Sequence, residues 1–595
     1  MLCYLQLFVE RIRHQSSTHP TKLRTPPPPP NPGQCQFVTA VNCQVTLILS
    51  GSFLLVARSL PPVGVISPLV LDAFEQELLA YPDPADREYI LSGIAQGFRV
   101  GYSNSGKLLR LSNRNLKSAS LHAEVIDKYL AKEVALNRVA GPFPVPPIHG
   151  LHISPFGVIP KRGQPGQWRL ILDLSSPHGY SVNDGIPKDP YSLHYASVDD
   201  AIRILLQLGP GGLMAKFDVE SAYRNVPIHP DDRYLLGMSW RNQYFIDLTL
   251  PFGLRSAPYV FNTMATAVEW ILHNNYYIRF ILHYLDDFLT MAPANSRECY
   301  DNVMRARALF NRLGLPLHPD KCVGPTTRLT FLGIELDSIT QTARLPQEKF
   351  DATLTMLQQW ATKKTCTRRE LESLVGSLHH ACKVVHPGRT FLRRMINLLC
   401  GIRRQDHPIR LNLEFRRDLA WWLQFFGEWN GVSFFLTPSF NCLPDFHVSS
   451  DTAGALGYGA IFRSAWFYGA WPPEFQLDSI AFKELFPIVV AAHLWGNQWS
   501  RLRVEFICDN ASIVAVLNSG TSRDSRVMHL VRCLTRLACT YHFYFRASHI
   551  PGSRNVLADA LSRFQLQTFH QLAPHADKSP TIIPHYVFLD LATQR

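Results

Sequence analysis

FILHYLDDFL, the stretch at residues 280–289, is an apolar run interrupted by two adjacent carboxylates, Asp286 and Asp287. It predicts a buried β-hairpin, because strands of about four to eight residues bracket a tight turn. Burying two neighbouring anions costs several kcal/mol unless a cation or hydrogen-bond donors compensate them. The turn therefore predicts a divalent-metal site. The alternative is an ordinary Asp-Asp β-turn on a surface hairpin.

A third carboxylate, Asp218, ends a predicted strand in the segment LMAKFDVESAY at residues 213–223, and a helix is expected to begin after it. Carboxylates from a strand end and a neighbouring hairpin can jointly hold two Mg²⁺ ions, which clamp the attacking 3′-oxygen and the leaving oxygen in phosphoryl transfer. Magnesium keeps most of its octahedral shell as water and phosphate oxygens. Three aspartates therefore suffice.

The motifs around these carboxylates occur in a distinctive order. They are FDVESAY (217–223), LPFGLRSAP (250–258), YLDD (284–287), GLPLHPDK (314–321) and FLG (331–333). The second of them alone is a generic turn before a helix. As a set, the motifs resemble the palm of retroelement reverse transcriptases from about residue 155 to residue 336. The resemblance implies a right-hand polymerase fold.

The resemblance also implies roles at the matching positions. Asp218 and Asp286 would be the principal ligands of two Mg²⁺ ions, for which Mn²⁺ could substitute, with Asp287 supporting them. Tyr223 matches the steric gate that rejects a ribose 2′-hydroxyl. Gly253 lets the backbone approach a base pair. Phe252 stands where retroviral enzymes carry Gln, although many other elements have an aromatic or apolar residue there.

Basic residues and one further turn complete the implied polymerase site. Lys161 and Arg169 match the finger residues that grip the incoming triphosphate, with Arg162 as the alternative to Lys161. Lys321 matches a lysine proposed to protonate the leaving pyrophosphate, and an ordinary surface lysine is the alternative. Phe331-Leu332-Gly333 matches the hairpin that positions the primer terminus.

A second set of acids lies in the C-terminal part of the chain. Asp451 ends a predicted strand, Glu484 lies in a predicted helix at 480–495, Asp509 follows a predicted strand, and Asp559 lies near a helix start. Each acid alone is more often a cap or a surface group. Their order on a β-β-α-β-α framework resembles ribonuclease H, which cleaves the RNA of an RNA–DNA hybrid with two metal ions held by these acids.

His549 strengthens this resemblance, because it precedes Asp559 by ten residues beside a Pro-Gly pair, and Asn555 precedes Asp559 by four. In the family this histidine assists proton transfer or product release. An aspartic protease is a poor alternative. Asp451-Thr452-Ala453-Gly454 does not match its Asp-Thr-Gly motif, and no second copy follows.

The composition favours a polyanionic partner. The chain has 595 residues, a formal charge of +12 and a pI of about 9.1. Residues 361–420, the basic segment, contain thirteen Lys and Arg but five Asp and Glu, a net +8. Paired basic residues recur there, which suits a phosphate backbone. A solvated helical surface is the alternative.

The cysteines and the N-terminus predict an intracellular protein, without distinguishing cytoplasm from nucleus. The twelve cysteines form no C-x-x-C pairs, which favours reduced thiols. The N-terminus lacks the order of charged, apolar and small residues typical of a signal peptide. The apolar stretch at 45–56 is too short to span a bilayer, which needs about 20 residues. We therefore expect no membrane partner.

A chain this long predicts several domains. We expect a multidomain protein of mixed α+β and α/β class, in which fingers, palm and thumb precede a ribonuclease H-like α/β domain. The expected segments are an irregular Pro-rich region (1–70), a helical N-terminal extension (71–150), fingers and palm (151–340), a helical basic thumb and connection (341–440), a ribonuclease H-like domain (441–565) and a C-terminal tail (566–595).

These resemblances imply an RNA- and DNA-directed DNA polymerase with ribonuclease H activity. Its partners would be an RNA template, a DNA primer, RNA–DNA hybrid and deoxynucleoside triphosphates. The segments at 81–101, 548–555 and 561–563 most resemble DIRS-type retrotransposons, with Gypsy-like LTR elements as the alternative. Because no protease, zinc knuckle, integrase or recombinase motif is found, we expect part of a longer polyprotein or a domesticated copy. The functional alternative is a decayed copy that binds nucleic acid without catalysis.

Overall fold

The structure is a computed structural model that describes residues 64–103, 113–161, 166–188, 193, 195–402, 404–429, 431–434 and 446–592. Most of the predicted Pro-rich region, including Pro26 to Pro30, lies outside the described residues. Among the described residues, no helix is long and apolar enough to cross a membrane.

The helices and strands of the first part precede residue 345. The helices are α1 (Leu71–Glu77), α2 (Pro84–Gln96), α3 (Lys117–Leu121), α4 (Ala123–Ala135), α5 (Val198–Leu208), α6 (Ala257–Asn274) and α7 (Glu298–Leu313). The strands are β1 (Val139–Phe143), β2 (Phe156–Pro160), β3 (Trp168–Leu172), β4 (Leu213–Asp218), β5 (Gly237–Trp240), β6 (Gln243–Asp247), β7 (Phe280–Tyr284), β8 (Asp287–Ala292), β9 (Val323–Thr326), β10 (Arg328–Phe331), β11 (Ile334–Asp337) and β12 (Thr342–Arg344).

The palm sheet has the strand order β7-β8-β4-β9, and its neighbouring strands are antiparallel. Strands β7 and β8 form the predicted hairpin around Asp286, which confirms that prediction. Phe217 and Phe288 are fully buried and lie close to Phe310 of α7. Alternation along β4 and β8 therefore directs these rings into the core, while Asp218 at the end of β4 and Asp287 at the start of β8 lie side by side at one end of the two inner strands.

The predicted N-terminal extension packs on this core. Phe74 of α1 and Ile90 of α2 are fully buried in the palm core, and β1 pairs with β6. Glu77 is buried at the end of α1, where it accepts hydrogen bonds from Arg312 Nη1 (2.6 Å) and Tyr276 Oη (2.8 Å). The described residues of this extension, 71–103 and 113–150, are therefore integrated with the polymerase-like part.

The basic segment and its flanks are mostly helical, as predicted. They contain α8 (Gln347–Thr362), α9 (Arg368–Ala381), α10 (Arg393–Asn397) and α11 (Leu413–Glu428), with the short strands β13 (Thr365–Thr367), β14 (Pro408–Arg410) and β15 (Val432–Phe434). Thr367 caps α9 in a reciprocal capping box with Glu370. Strand β15 pairs with β12, which links this helical part to the sheet containing the Phe331-Leu332-Gly333 turn.

The nuclease-like domain, residues 446–592, has a five-stranded sheet of order β18-β17-β16-β19-β20. Its elements are β16 (Phe446–Ala453), β17 (Gly457–Phe462), β18 (Ala465–Ala470), α12 (Ile480–Trp495), β19 (Arg503–Cys508), α13 (Ala511–Ser519), α14 (Ser525–Tyr541), β20 (Tyr544–His549), α15 (Val556–Ser562), α16 (Leu566–Leu572) and α17 (His585–Ala592). Strands β16, β19 and β20 are parallel, whereas β17 and β18 are antiparallel additions.

Two features of this domain differ from the sequence prediction. The framework has β18 before α12 and β20 at the opposite sheet edge, which the predicted β-β-α-β-α pattern omitted. Residues 566–592, expected to be a tail, form α16 and α17. Phe569 and Val587 are fully buried in the domain core, because both helices are amphipathic and cover apolar surface.

A buried charge cluster joins the helical part to the nuclease-like domain. Asp418 of α11 is fully buried, and its Oδ1 lies 3.7 Å from Arg394 Nη1 and 3.3 Å from Arg532 Nε of α14. Burial raises the pKa of Asp418 to about 7, although both guanidinium groups oppose this. The two domains are therefore docked through a carboxylate that both arginines share.

Replacing Asp418 by Ala should destabilise the protein by about 3 kcal/mol, because two partly buried guanidinium groups lose the buried carboxylate that they share. The melting temperature should fall by several degrees in a thermal scan. The control is Asp406→Ala, which removes an exposed pair with Arg404 and should leave the melting temperature essentially unchanged. Equal melting temperatures of the two variants would contradict this prediction.

Candidate active sites

Three carboxylates meet at one end of the palm sheet. Asp218 lies directly opposite Asp287 in the β4–β8 register. Asp286 lies in the turn before β8, and its carbonyl accepts a hydrogen bond from Val219 N–H at 3.0 Å. Leu285 has a φ of 54°, so the chain turns sharply enough to present both hairpin acids beside β4. The structure thus brings the three predicted aspartates together.

Two lysines partly compensate this negative cluster. Lys321 Nζ donates to Asp218 Oδ1 at 2.9 Å, and Lys216 Nζ lies 3.6 Å from Asp287 Oδ1. Burial raises the pKa of Asp286 to about 6, and the carboxylates of Asp287 and Asp218 add to this. Burial also raises the pKa of Asp287. Clustered oxygen donors with excess negative charge fit Mg²⁺ or Mn²⁺.

Lys321 is held against the aspartates by its own loop. His318 N–H donates to the Asp218 carbonyl at 2.8 Å, and Glu220 N–H donates to the Pro316 carbonyl at 2.8 Å. The hydrogen bond to Asp218 raises the pKa of Lys321, so its ammonium is stabilised. Lys321 therefore contacts the carboxylate cluster, although its side chain is 55% exposed. Its part in protonating pyrophosphate stays a prediction.

The rings of Tyr223 and Phe252 lie beside each other, next to this carboxylate cluster. Tyr223 lies in the 3₁₀ helix Ala222–Asn225, and its ring centroid is 5.3 Å from that of Phe252. Phe252 is 62% exposed, so its ring is available to a partner. Gly253 has a φ of +92°, and its carbonyl accepts a hydrogen bond from Asn183 Nδ2 at 2.9 Å. Sequence reasoning missed Asn183, which no local motif marks.

Lys161 and Arg169 lie apart from the palm sheet, on the antiparallel β2–β3 pair. Both residues are exposed, and Lys161 N–H donates to the Gln167 carbonyl at 2.8 Å, just beyond the paired strands. Arg162, the alternative to Lys161, lies outside the described residues. The predicted triphosphate contacts therefore stay predictions.

The Phe331-Leu332-Gly333 turn is tied to the helical part. Lys349 Nζ of α8 donates to the Gly333 carbonyl at 3.2 Å, and His380 Nε2 of α9 lies 3.2 Å from the Leu332 carbonyl. Burial, and then the charge of Lys349, lower the pKa of His380 to about 4. The imidazole is therefore neutral at pH 7 and donates one hydrogen bond to the turn. Neither helix contact was evident from the sequence.

The four acids of the nuclease-like domain also converge. Asp451 lies in β16, Glu484 in α12, Asp509 after β19 and Asp559 in α15. Burial raises the pKa of Glu484 to about 8, with Asp509 and Asp451 adding to it. Burial raises the pKa of Asp451, which also senses the charges of Asp509 and Asp559. Burial is the larger cause of both shifts, and the added effect of the neighbouring carboxylates indicates that the four acids face a common region.

Glu484 and Asp509 have donor atoms within 4.8 Å of each other and of Cys508 Sγ. Cys508 is fully buried, and burial raises the pKa of its thiol to about 12. A neutral thiol is a poor ligand for a hard cation, so the carboxylates are the groups here that could hold one. They fit Mg²⁺ or Mn²⁺.

Helix α15 and its neighbours hold these acids in place. Ser562 Oγ donates to Asp451 Oδ2 at 2.6 Å, and Asn555 Nδ2 donates to the Ser450 carbonyl at 2.8 Å. Arg563 Nε donates to Asp559 Oδ1 at 2.7 Å. His549 ends β20, and its Nε2 lies 3.0 Å from the Asp509 carbonyl oxygen. Ser562 and Arg563 follow Asp559 closely, but their contacts could not be read from that spacing.

Comparison with known proteins gives a family match within the polymerase-like part and longer matches to retrotransposon polyproteins. Residues 159–336 match the family model of the reverse transcriptase (RNA-dependent DNA polymerase). The chain is 27% identical over 201 residues to the retrovirus-related Pol polyprotein from transposon 412 of Drosophila melanogaster, covering 33% of this chain and 15% of that protein. It is 22% identical over 440 residues to the transposon Tf2-3 polyprotein of Schizosaccharomyces pombe, covering 70% of this chain and 29% of that protein.

Among solved structures, a foamy viral protease-reverse transcriptase in complex with double-stranded DNA aligns with a TM-score of 0.45 and 14% identity, over 82% of this chain and 83% of that one. The family match, together with the palm sheet and the separate domain that follows, confirms the predicted fold class. Residues 159–336 thus match the reverse transcriptase family model, and the chain is similar to polyproteins of retrotransposons, of whose length it spans less than a third.

Proposed function

We propose that this chain is an RNA- and DNA-directed DNA polymerase with a ribonuclease H that cleaves RNA–DNA hybrids. The polymerase assignment rests on one observation. Asp218, Asp286 and Asp287 meet at one end of the palm sheet, inside the segment that matches the reverse transcriptase family. The convergence of four acids around Asp451 supports the nuclease.

In the polymerase, Asp218 and Asp286 would hold two Mg²⁺ ions, with Asp287 supporting them. Bound Mg²⁺ would activate the primer 3′-hydroxyl and neutralise charge on the α-phosphate. The residues of this chain orient the reactants, which lowers the barrier through position and preorganised charge. Tyr223 and Phe252 flank the sugar, Lys161 and Arg169 bind the triphosphate, and the turn containing Gly333 holds the primer end.

In the nuclease, Asp451, Glu484, Asp509 and Asp559 would hold the two Mg²⁺ ions. Bound Mg²⁺ would activate water for attack on the RNA phosphodiester. His549, at the exposed edge beside Asp509, would assist proton transfer or product release. Ser562 fixes the Asp451 carboxylate by donating to Oδ2.

The nucleic-acid partners are an RNA template, a DNA primer and their hybrid, with deoxynucleoside triphosphates as substrates. The net +8 of the basic segment supports contact with phosphates, which implies affinity that falls steeply with salt. Hybrid would be recognised by its A-like shape and its backbone. We further propose a DIRS-type origin, supported by the resemblance of residues 81–101 and 548–555, with Gypsy-like LTR elements as the alternative.

The test is primer extension by the purified chain on an RNA template. With Mg²⁺ and deoxynucleotides the primer should lengthen, and excess EDTA should abolish extension because the carboxylates alone cannot activate the 3′-hydroxyl. Restoring Mg²⁺ or Mn²⁺ should recover it. Binding of template and primer without extension in either metal would favour the non-catalytic nucleic-acid-binding protein instead.

A further inference from the structure

Arg224 directly follows Tyr223 in the 3₁₀ helix Ala222–Asn225, and its side chain is 3% exposed. Its Nε donates to Glu133 Oε2 at 3.0 Å, and its Nη2 lies 2.7 Å from Asp247 Oδ1. Both carboxylates are themselves buried. A guanidinium with two carboxylates in the protein interior is costly to desolvate, and the pairing offsets this cost only in good geometry.

The two carboxylates belong to different elements. Glu133 lies in α4, and Asp247 ends β6. Arg224 Nη1 also donates to the carbonyl of Thr249 at 3.3 Å, in the segment that leads from β6 to Phe252. The Arg224 side chain thus connects the helix containing Tyr223 to α4 and to β6, the strand from which the chain continues to Phe252.

The 3₁₀ helix needs such an anchor. It is four residues long, and it follows Ser221, which has a φ of 53°. Its own backbone hydrogen bonds, Arg224 N–H to Ser221 and Val226 N–H to Tyr223, are short-range. The Val226 carbonyl also accepts a hydrogen bond from Leu250 N–H at 2.9 Å, so side-chain contacts act together with this backbone contact to orient the helix. Asn225 Nδ2 holds the helix to the Glu220 carbonyl, whereas Arg224 holds it to the Phe252 side.

We propose that Arg224 is the positioning residue that fixes Tyr223 against Phe252 and thereby sets the selectivity for deoxyribose over ribose nucleotides. This inference rests on the proposed polymerase function. Excluding the ribose 2′-hydroxyl requires the Tyr223 ring to be held rigidly, because selectivity of this kind comes from a steric clash. A lysine at position 224 would keep the positive charge, but its single ammonium could not pair with both Glu133 and Asp247 as the planar guanidinium does.

The test measures kcat/KM for a deoxyribonucleotide and for the matching ribonucleotide in primer extension. The ratio of the two does not depend on the fraction of active enzyme. Arg224→Lys should lower this ratio by about tenfold, mainly through improved ribonucleotide use, while kcat for the deoxyribonucleotide changes less. Tyr223→Ala should lower the ratio further.

Arg241→Lys is the matched control, because Arg241 also pairs with α4, through Asp127, but is 64% exposed. Its ratio should equal that of the wild type. If Arg224→Lys does not fold, the triple variant Arg224→Gln/Glu133→Gln/Asp247→Asn, which removes both ion pairs without leaving a buried charge, takes its place with the same expectation.

An unchanged ratio in a folded Arg224 variant, with a lowered ratio in Tyr223→Ala, would overturn the role of Arg224. An unchanged ratio in Tyr223→Ala would overturn the gate on which that role depends. A wild type that incorporates no deoxyribonucleotide at all would instead refute the proposed polymerase, and this inference with it.

Discussion

Replacing Asp286 by Asn should slow primer extension on an RNA template by on the order of 10³-fold, while cleavage of hybrid continues at the wild-type rate. Asn keeps the shape of the side chain but removes the negative charge needed to hold a divalent cation. The two remaining carboxylates, Asp218 and Asp287, are each paired with a lysine, so the site would lose its excess negative charge. Single-turnover extension under Mg²⁺ measures this effect directly.

Two controls separate this effect from a loss of folding. Asp406→Asn changes an exposed carboxylate of the helical part and should extend primers like the wild type. Hybrid cleavage by Asp286→Asn reports that the rest of the chain is folded. Equal extension by Asp286→Asn and the wild type would refute the assignment of the palm carboxylates.

Asp509→Asn is expected to abolish hybrid cleavage, with at least about a 100-fold loss of rate, and to leave primer extension intact. Asp509 is close to Glu484, and its charge contributes to the raised pKa of Glu484. Neutralising it lowers that pKa, but it also removes one of the carboxylates that would hold Mg²⁺ in the proposed nuclease. Cleavage of an end-labelled RNA strand in a preformed hybrid is the measurement.

Asp577→Asn is the matched control in the same domain, since its side chain is exposed while its backbone carbonyl accepts a hydrogen bond from Trp466. It should cleave hybrid at the wild-type rate. Loss of both extension and cleavage in Asp509→Asn would mean that the two activities do not reside in separate domains.

The acidic residues could be located from the sequence because strand alternation and element ends are local properties. Residues 280–289 have the apolar pattern of a hairpin, and the hairpin forms with Asp286 at its turn. The helix predicted at 480–495 has those bounds, so Glu484 lies where expected. Motif order then indicated which acids would meet, through the family resemblance.

The contacts that hold these acids could not be predicted, because they join residues far apart in the chain. Lys321 reaches Asp218 across 103 positions, and Ser562 reaches Asp451 across 111. Arg224 is one residue from Tyr223, yet its partners come from α4 and β6. Such pairings depend on tertiary packing, for which a single sequence contains no local pattern.

The packing of the C-terminal helices was missed for a related reason. Helix α17 is short, and much of its surface is apolar, so the sequence did not distinguish a tail from a docked helix. In the structure Val587 and Leu591 enter the core of the nuclease-like domain, and Asp590 pairs with Arg536 of α14 and His493 of α12. The domain therefore extends to at least residue 592.

The most direct test of two separate active sites uses one substrate, an RNA template labelled at one end and annealed to a DNA primer labelled with a second dye. Wild type, Asp286→Asn and Asp509→Asn are incubated with it, Mg²⁺ and deoxynucleotides. We predict longer primer and shorter RNA for the wild type, only shorter RNA for Asp286→Asn, and only longer primer for Asp509→Asn. Identical products from all three proteins would contradict the account.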